Sequence, residues 1–312
     1  ARPDIFPRGL EYVWKRTGWP VQGHNRYWAS DNTYAKQNGG AYDFLVDAES
    51  DFALPNSQRF WDDLLRNSSL WGLRVYEQDW MYDEFDKFPP LTRSATLARQ
   101  WLTQMGKAAD SNGMTIQYCM SHCRHILASV EIPSVTQARA SGDYHPGTPY
   151  PDDQWHPLGT TGTPAWAVGV APSKDNYWSS TYQPGSLHYT DHPREPYRRL
   201  QAAVITLSKG PVAPSDAVNR SDVALILRSC MADGTRREPS RPATKRDSFI
   251  LAEALDTGKP TGEVWFAETE LSSRRYGVLF SAQLTQTATI RPRELGYAPY
   301  AALVAIEANS TS

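Results

Sequence analysis

Up to about residue 230, short apolar runs alternate with amphipathic helical segments, and that alternation limits the fold of this 312-residue chain more than any other feature. "GLEYVWKRTG" sets Leu10, Val13 and Trp14 at helical spacing before a glycine stop and leads into "PVQGHNRYW". "SQRFWDDLLRNSSLWG" gathers Phe60, Leu64, Leu65 and Leu70 on one face, with Ser57 as the expected N-cap, and strand-like "LRVYEQDW" follows. "SATLARQWLTQMGKAADSNG" carries Leu97, Trp101, Leu102 and Met105 on a face, ends at Asn112-Gly113 and precedes "MTIQYCMSH". A helix over "RHILASVEIPS" is stopped by Pro133, and "VTQARASGDY" is the next strand with its exit loop. After a Gly/Pro/Asp-rich excursion over 145–164 come "AWAVGVAPSKDNYW" and a helix over "EPYRRLQAAVITLSKG" that turns into "GPVAPSD". These are parallel βαβ units, closed as a barrel or open as a doubly wound sheet. No G-x-G-x-x-G follows any strand, which disfavours a dinucleotide-binding sheet.

Beyond "RSDVALILRSC" the pattern changes. "SFILAEAL", "GEVWFAETE", "YGVLFSAQL", "ATIRP" and "AALVAIEA" are short β-prone runs between turns, which predict a small antiparallel β domain of sandwich type over 241–312 after a barrel domain over 1–240. "MADGTRREPSRPATKRD" is expected to be a solvated link, because its basic residues are scattered among acids and prolines.

A net charge of −2 supplies no field for nucleic acid or an anionic membrane, and no run of about 20 apolar residues predicts a membrane span. Cys119, Cys123 and Cys230 permit at most one internal bridge and have no metal-finger spacing. N-x-S/T sequons at Asn67, Asn219 and Asn309 lean towards a secreted or lumenal glycoprotein, with a cytoplasmic location left open. Eleven Trp residues are many for the core alone; those beside strand ends are candidates for stacking on sugar rings, the others for ordinary packing.

In a parallel barrel, residues just past the C-terminal strand ends converge on one mouth. Three successive strand ends carry Glu77 and Asp79 in "EQDW", Cys119, His122 and His125 in "CMSHCRH", and Arg139 and Asp143 in "RASGDY". Asp79 and Asp143 suit glycosidic cleavage, in which one carboxylate attacks the anomeric carbon while the other protonates the leaving oxygen and then activates water. The alternative for each is a cap or solvated loop aspartate. His122 and His125 lack an H-E-x-x-H pattern or a fourth ligand, so neither a metal nor another cofactor is expected. In "PVQGHNRYWASDN", His24, Asn25, Arg26, Trp28 and Asp31 are either sugar-contacting groups or a polar loop, and Lys174 and Asp175 are similar cases.

"CMSH" followed by "RASGDY" resembles consecutive barrel-strand motifs of the α-galactosidase clan of glycoside hydrolases, in particular its raffinose synthase and alkaline α-galactosidase-like branch. "FWDDLLRNSSLWGLRVYEQDW" and "GPVAPSDAVNRSDVALILRSCMADGTRREPSRPATKRD" are similar to the approach to the fourth strand and to the eighth strand with its exit. The resemblance implies a (β/α)8 TIM-type barrel followed by a β domain, and retaining hydrolysis or transglycosylation of α-galactosides or related α-linked sugars. It implies Asp79 as nucleophile and Asp143 as acid/base. Arg139 and Cys119 would be substrate contacts, as would Trp28 as an aromatic wall and Asp175, with His122 beside them. Two departures stand out: Glu77 occupies the place of a sugar-binding Lys, and Gly142 that of an acidic residue. The departures leave a catalytically inactive sugar-binding or structural homologue as the alternative. "IFPRGLEYVWKRTGWP" resembles the second barrel helix, so the first two strands are expected to be missing from this chain and supplied by a separate N-terminal chain of the same precursor.

Overall fold

A computed structural model describes residues 3–147, 157–184, 194–255, 262–282, 284 and 287–298. Helix α1 (Gly9–Thr17) ends at Gly18, whose positive φ of 71° terminates it. Strand β1 (Val21–Asn25) follows, then three short strands, β2 (Trp28–Ala29), β3 (Phe44–Asp47) and β4 (Phe52–Pro55), which pair antiparallel in the order β2-β4-β3. Helix α2 (Gln58–Ser69) leads to β5 (Leu73–Gln78). Next come α3 (Met81–Lys87), α4 (Pro89–Arg93), α5 (Leu97–Ser111), β6 (Thr115–Tyr118), α6 (Cys123–Ala128) and β7 (Val135–Arg139). The excursion returns through α7 (Pro157–Thr160) and α8 (Gly162–Ala167) to β8 (Ala171–Ser173), followed by α9 (Arg198–Leu207) and α10 (Val223–Ile226).

Strands β1, β5, β6, β7 and β8 lie side by side in that order, every pair parallel. Their registers bring Asn25, Gln78, Tyr118, Ala138 and, one step on, Ser173 onto one rim. Past β8, Tyr177 continues the pattern by a parallel bridge to Pro214, so the "GPVAPSD" segment lies where a further barrel strand would. Among the described residues the barrel is an open arc.

Helical periodicity decides what is buried. Phe60, Trp61 and Leu65 of α2 and Trp101, Leu102 and Met105 of α5 enter the core, whereas Leu70 lies past the end of α2 and stays exposed. Ser57 does occupy the N-cap position of α2, but its hydroxyl makes no capping hydrogen bond. The antiparallel insertion brings Trp28 edge-on to Phe44, Phe60 and Trp61, and the ring is nearly fully buried there. Burying 150–250 Å² of indole contributes about 4–6 kcal/mol, which exceeds the roughly 1–3 kcal/mol cost of its Nε1, left without a partner.

The C-terminal part departs from expectation at two points. Arg241–Lys245, expected in the solvated link, is strand β9, and it pairs with β10 (Glu263–Leu271), which pairs with β11 (Arg274–Ala282). Its order comes from burial: Lys245 is almost wholly enclosed and forms an ion pair of 2.7 Å with Glu263. "SFILAEAL", expected as a strand, lies in helix α11 (Asp247–Ala254). Its apolar residues gather on no single face, so the run carries no period that separates helix from strand. "ATIRP" forms no strand, with a 3-10 turn over Pro292–Leu295 following it, and "AALVAIEA" lies outside the described residues.

Candidate active site at the strand ends

Asp79 is the first residue past β5, and its N–H still donates to the Asn25 carbonyl at 2.8 Å, so the sheet itself fixes it. Its Oδ1 accepts the Trp80 N–H at 2.7 Å and its Oδ2 lies 2.9 Å from His24 Nε2 at the end of β1. Trp80 and Met120, which follow the strand-end residues Asp79 and Cys119, both have positive φ, 59° and 46°. Each such conformation costs about 1–3 kcal/mol, and backbone strain of this kind clusters at functional sites. Arg26 lies over the Trp80 ring at 4.1 Å, which helps hold that turn.

The second cluster comes from the exits of β7 and β8. Arg139 Nη2 is 2.9 Å from Asp143, and its Nη1 is 3.6 Å from Asp175. Asp175 is fixed in turn: its Oδ2 accepts the Tyr144 N–H at 2.7 Å, and its own N–H donates to Ser141 Oγ at 2.8 Å. Burial opposes the charge on Arg139, but Cys119 and the carboxylates of Asp175, Asp143 and Asp79 outweigh it and raise its pKa. One guanidinium therefore senses both aspartates predicted to do the chemistry. A cavity of about 270 Å³ opens beside it, lined by Tyr82, Met120, Ser121, Arg139, Ser141 and Thr161, among others.

One residue of this cavity escapes a reading by sequence. Tyr82 lines it, and its phenol is raised by burial first, then by Asp83, with Asp79 and Asp143 adding to the effect. His24, read from the sequence as either a sugar-contacting group or a polar-loop residue, meets Asp79 across 55 residues, a contact with no local signature. Behind the rim, burial lowers Lys174 to about 7, while its Nζ donates to the carbonyls of Asp175 and Asn176.

Of the other sequence candidates, Glu77 lies beside Asp79 and His24. Glu77 is half-buried and its Oε2 accepts from Gln22 at 2.8 Å. Cys119 is fully enclosed against Asp79, and burial pushes its thiol up. His122 N-caps α6, bonds Asp86 at 2.8 Å, stacks on His125 and touches the Tyr82 ring. Trp28 is a core residue rather than a wall of the mouth, because the antiparallel insertion folds over it. Asn67 and Asn219 are exposed, and Asn309 lies outside the described residues.

No family model and no curated protein matches the chain. Two solved structures of a family 27 β-L-arabinopyranosidase from Geobacillus stearothermophilus do. A point variant with arabinose bound superposes with a TM-score of 0.62 at 12% identity, covering 92% of this chain and 68% of that one. The wild-type enzyme gives 0.61 at 12% identity over the same shares. The chain has their fold. An α-galactosidase from Thermus thermophilus bound to stachyose overlaps with a TM-score of 0.45 at 16% identity, over 72% of this chain and 52% of that one. The arc of parallel strands fits that fold, and strands β9 to β11 form a sheet of their own.

Proposed function

We propose that this protein is a retaining glycoside hydrolase or transglycosidase for α-galactosides or closely related sugars, with Asp79 as nucleophile and Asp143 as acid/base. The observation that carries the reading is the set of carboxylates at neighbouring strand exits, Asp79 past β5 and Asp143 and Asp175 past β7 and β8, the last two ion-paired with Arg139. Asp79 is buried and held by backbone, as a nucleophile that must keep its aim requires; Asp143 is exposed, as a group that exchanges protons with water requires. In the first step an Asp79 oxygen bonds the anomeric carbon as the glycosidic C–O bond breaks and Asp143 protonates the leaving oxygen. In the second, Asp143 takes a proton from water or a sugar hydroxyl, which displaces Asp79. A β-L-arabinopyranoside has the ring stereochemistry of an α-D-galactoside without the exocyclic carbon, so the fold neighbour's substrate belongs to the same class.

Assays with aryl α-galactosides and β-L-arabinopyranosides, alongside aryl β-galactosides, test this. Wild type should turn over one of the first two, and Asp79→Asn and Asp143→Asn should each lose nearly all of that rate with an unchanged circular dichroism spectrum. Near-normal rates in both variants would falsify the assignment. The second reading, a sugar-binding barrel without catalysis, is favoured by the Oδ2 of Asp79 being tied to His24 and by Glu77 standing beside it; it predicts saturable binding of galactose without turnover. Completion of the barrel by a separate chain along the free edge of β1, which pairs only with β5 among the described residues, belongs to either reading.

A further inference from the structure

His24, Glu77 and Asp79 project from the ends of the adjacent parallel strands β1 and β5, and one ligand atom of each lies within 4.8 Å of the other two. That is one imidazole and two carboxylates, a donor set that suits a divalent first-row ion with open positions. Contacts outside the trio hold each carboxylate through one oxygen, while Asp79 Oδ2 faces His24 within it. Glu77 Oε2 takes the Gln22 amide, itself 3.2 Å from Gln117 Oε1, and Asp79 Oδ1 takes the Trp80 N–H. Such outer contacts orient ligands while leaving the second oxygen free. Among the described residues no Lys or Arg forms an ion pair with either carboxylate; the nearby Arg139 is committed to Asp143 and Asp175.

We propose that His24 Nε2, Glu77 and Asp79 Oδ2 bind a zinc ion at the barrel mouth, and that the bound ion blocks the nucleophile. Zinc replaces the hydrogen bond between His24 and Asp79: the neutral imidazole keeps its proton on Nδ1 and gives the Nε2 lone pair to the ion. The Asp79 oxygen that would attack an anomeric carbon then bonds the metal. The ion's positive charge stands where Glu77 has replaced the sugar-binding Lys that the family resemblance implies. Local spacing could not reveal this site, since His24 and Asp79 are 55 positions apart.

Calorimetry on the chelator-treated full chain with zinc chloride is the direct test, with cobalt(II) as a spectroscopic substitute. Wild type should bind one ion, and Glu77→Gln and His24→Gln should each weaken it about 10- to 100-fold. The cobalt form should show tetrahedral d–d bands. Zinc affinity unchanged in both Glu77→Gln and His24→Gln, or no binding by wild type, overturns the site. Its effect on turnover rests on the glycosidase reading: zinc should inhibit wild type, with activity recovered on chelation. Binding without turnover under any condition leaves the metal site standing and removes the enzyme; turnover that zinc neither slows nor accompanies with binding removes the metal site alone.

Discussion

The guanidinium of Arg139 lies 2.9 Å from a carboxylate oxygen of Asp143 and 3.6 Å from one of Asp175, so the exits of two neighbouring strands share one cation. Arg139 is mostly buried, which makes the shared charge costly to remove. Arg139→Lys keeps the charge and loses the planar fork, and should lower kcat/KM about 10- to 100-fold with little effect on folding. Arg139→Ala leaves Asp143 and Asp175 facing each other and should lower both activity and melting temperature. Steady-state kinetics beside thermal unfolding of the two variants separate positioning from structural support.

Asp143 and Asp79 differ in exposure, 57% against 10% of the side chain, and that difference has a chemical consequence. Asp143→Ala should still be glycosylated by an aryl glycoside whose phenol leaves without protonation, but should stall at the second step. Added azide, which needs no general base, should restore turnover and give a glycosyl azide of retained anomeric configuration. Asp79→Ala should yield no retained product with azide. Proton NMR of the products reads both outcomes.

Much of the arc is legible in the sequence because each strand and helix announces its own period. Leu97, Trp101, Leu102 and Met105 define the buried face of α5, and the local pattern of "LRVYEQDW" alone puts Asp79 at a strand exit. What is illegible depends on partners distant in sequence. Trp28 belongs to the core because Phe44, Phe60 and Trp61 surround it, and none of the three is its neighbour along the chain. Lys245 gives β9 the composition of a linker until Glu263 closes over it. His24 acquires chemical meaning only beside Asp79.

Two buried groups should give the stability opposite pH slopes. Burial lowers His125 to about 3, so below its ordinary 6.5 the unfolded chain takes a proton that the folded chain refuses. Stability is therefore lost as pH falls from 6.5 towards 3, by about 2 kcal/mol on reaching pH 5. Glu84 is held well above its ordinary 4.5 by burial, against a smaller opposing contribution from the Trp28 backbone. Folded Glu84 stays protonated when the unfolded form has ionised, so its contribution is lost as pH rises above 4.5. Denaturant unfolding across pH 4–8 should show His125→Gln flattening the acid side. Glu84→Gln should be more stable than wild type at pH 7, with the gap closing towards pH 4.

Gly210 precedes the segment that bridges to Tyr177, and it is glycine for lack of space, not for backbone freedom. A Cβ there would lie 2.3 Å from the Cβ of Ser173 and 2.7 Å from the Pro172 carbonyl oxygen, both on β8. Neither can move without shifting the strand that positions Lys174 and Asp175. Gly210→Ala should therefore destabilise by about 1–3 kcal/mol and, by displacing Asp175, loosen its contact with Arg139. Gly113 is the opposite case: its φ is 61° and a Cβ would meet nothing within 4 Å. Gly113→Ala pays only the left-handed backbone cost, about 1 kcal/mol, and leaves the site untouched. Thermal unfolding with activity measured on both variants checks the distinction: equal loss of stability with no activity change in Gly210→Ala would mean that β8 yields freely to the segment beside it.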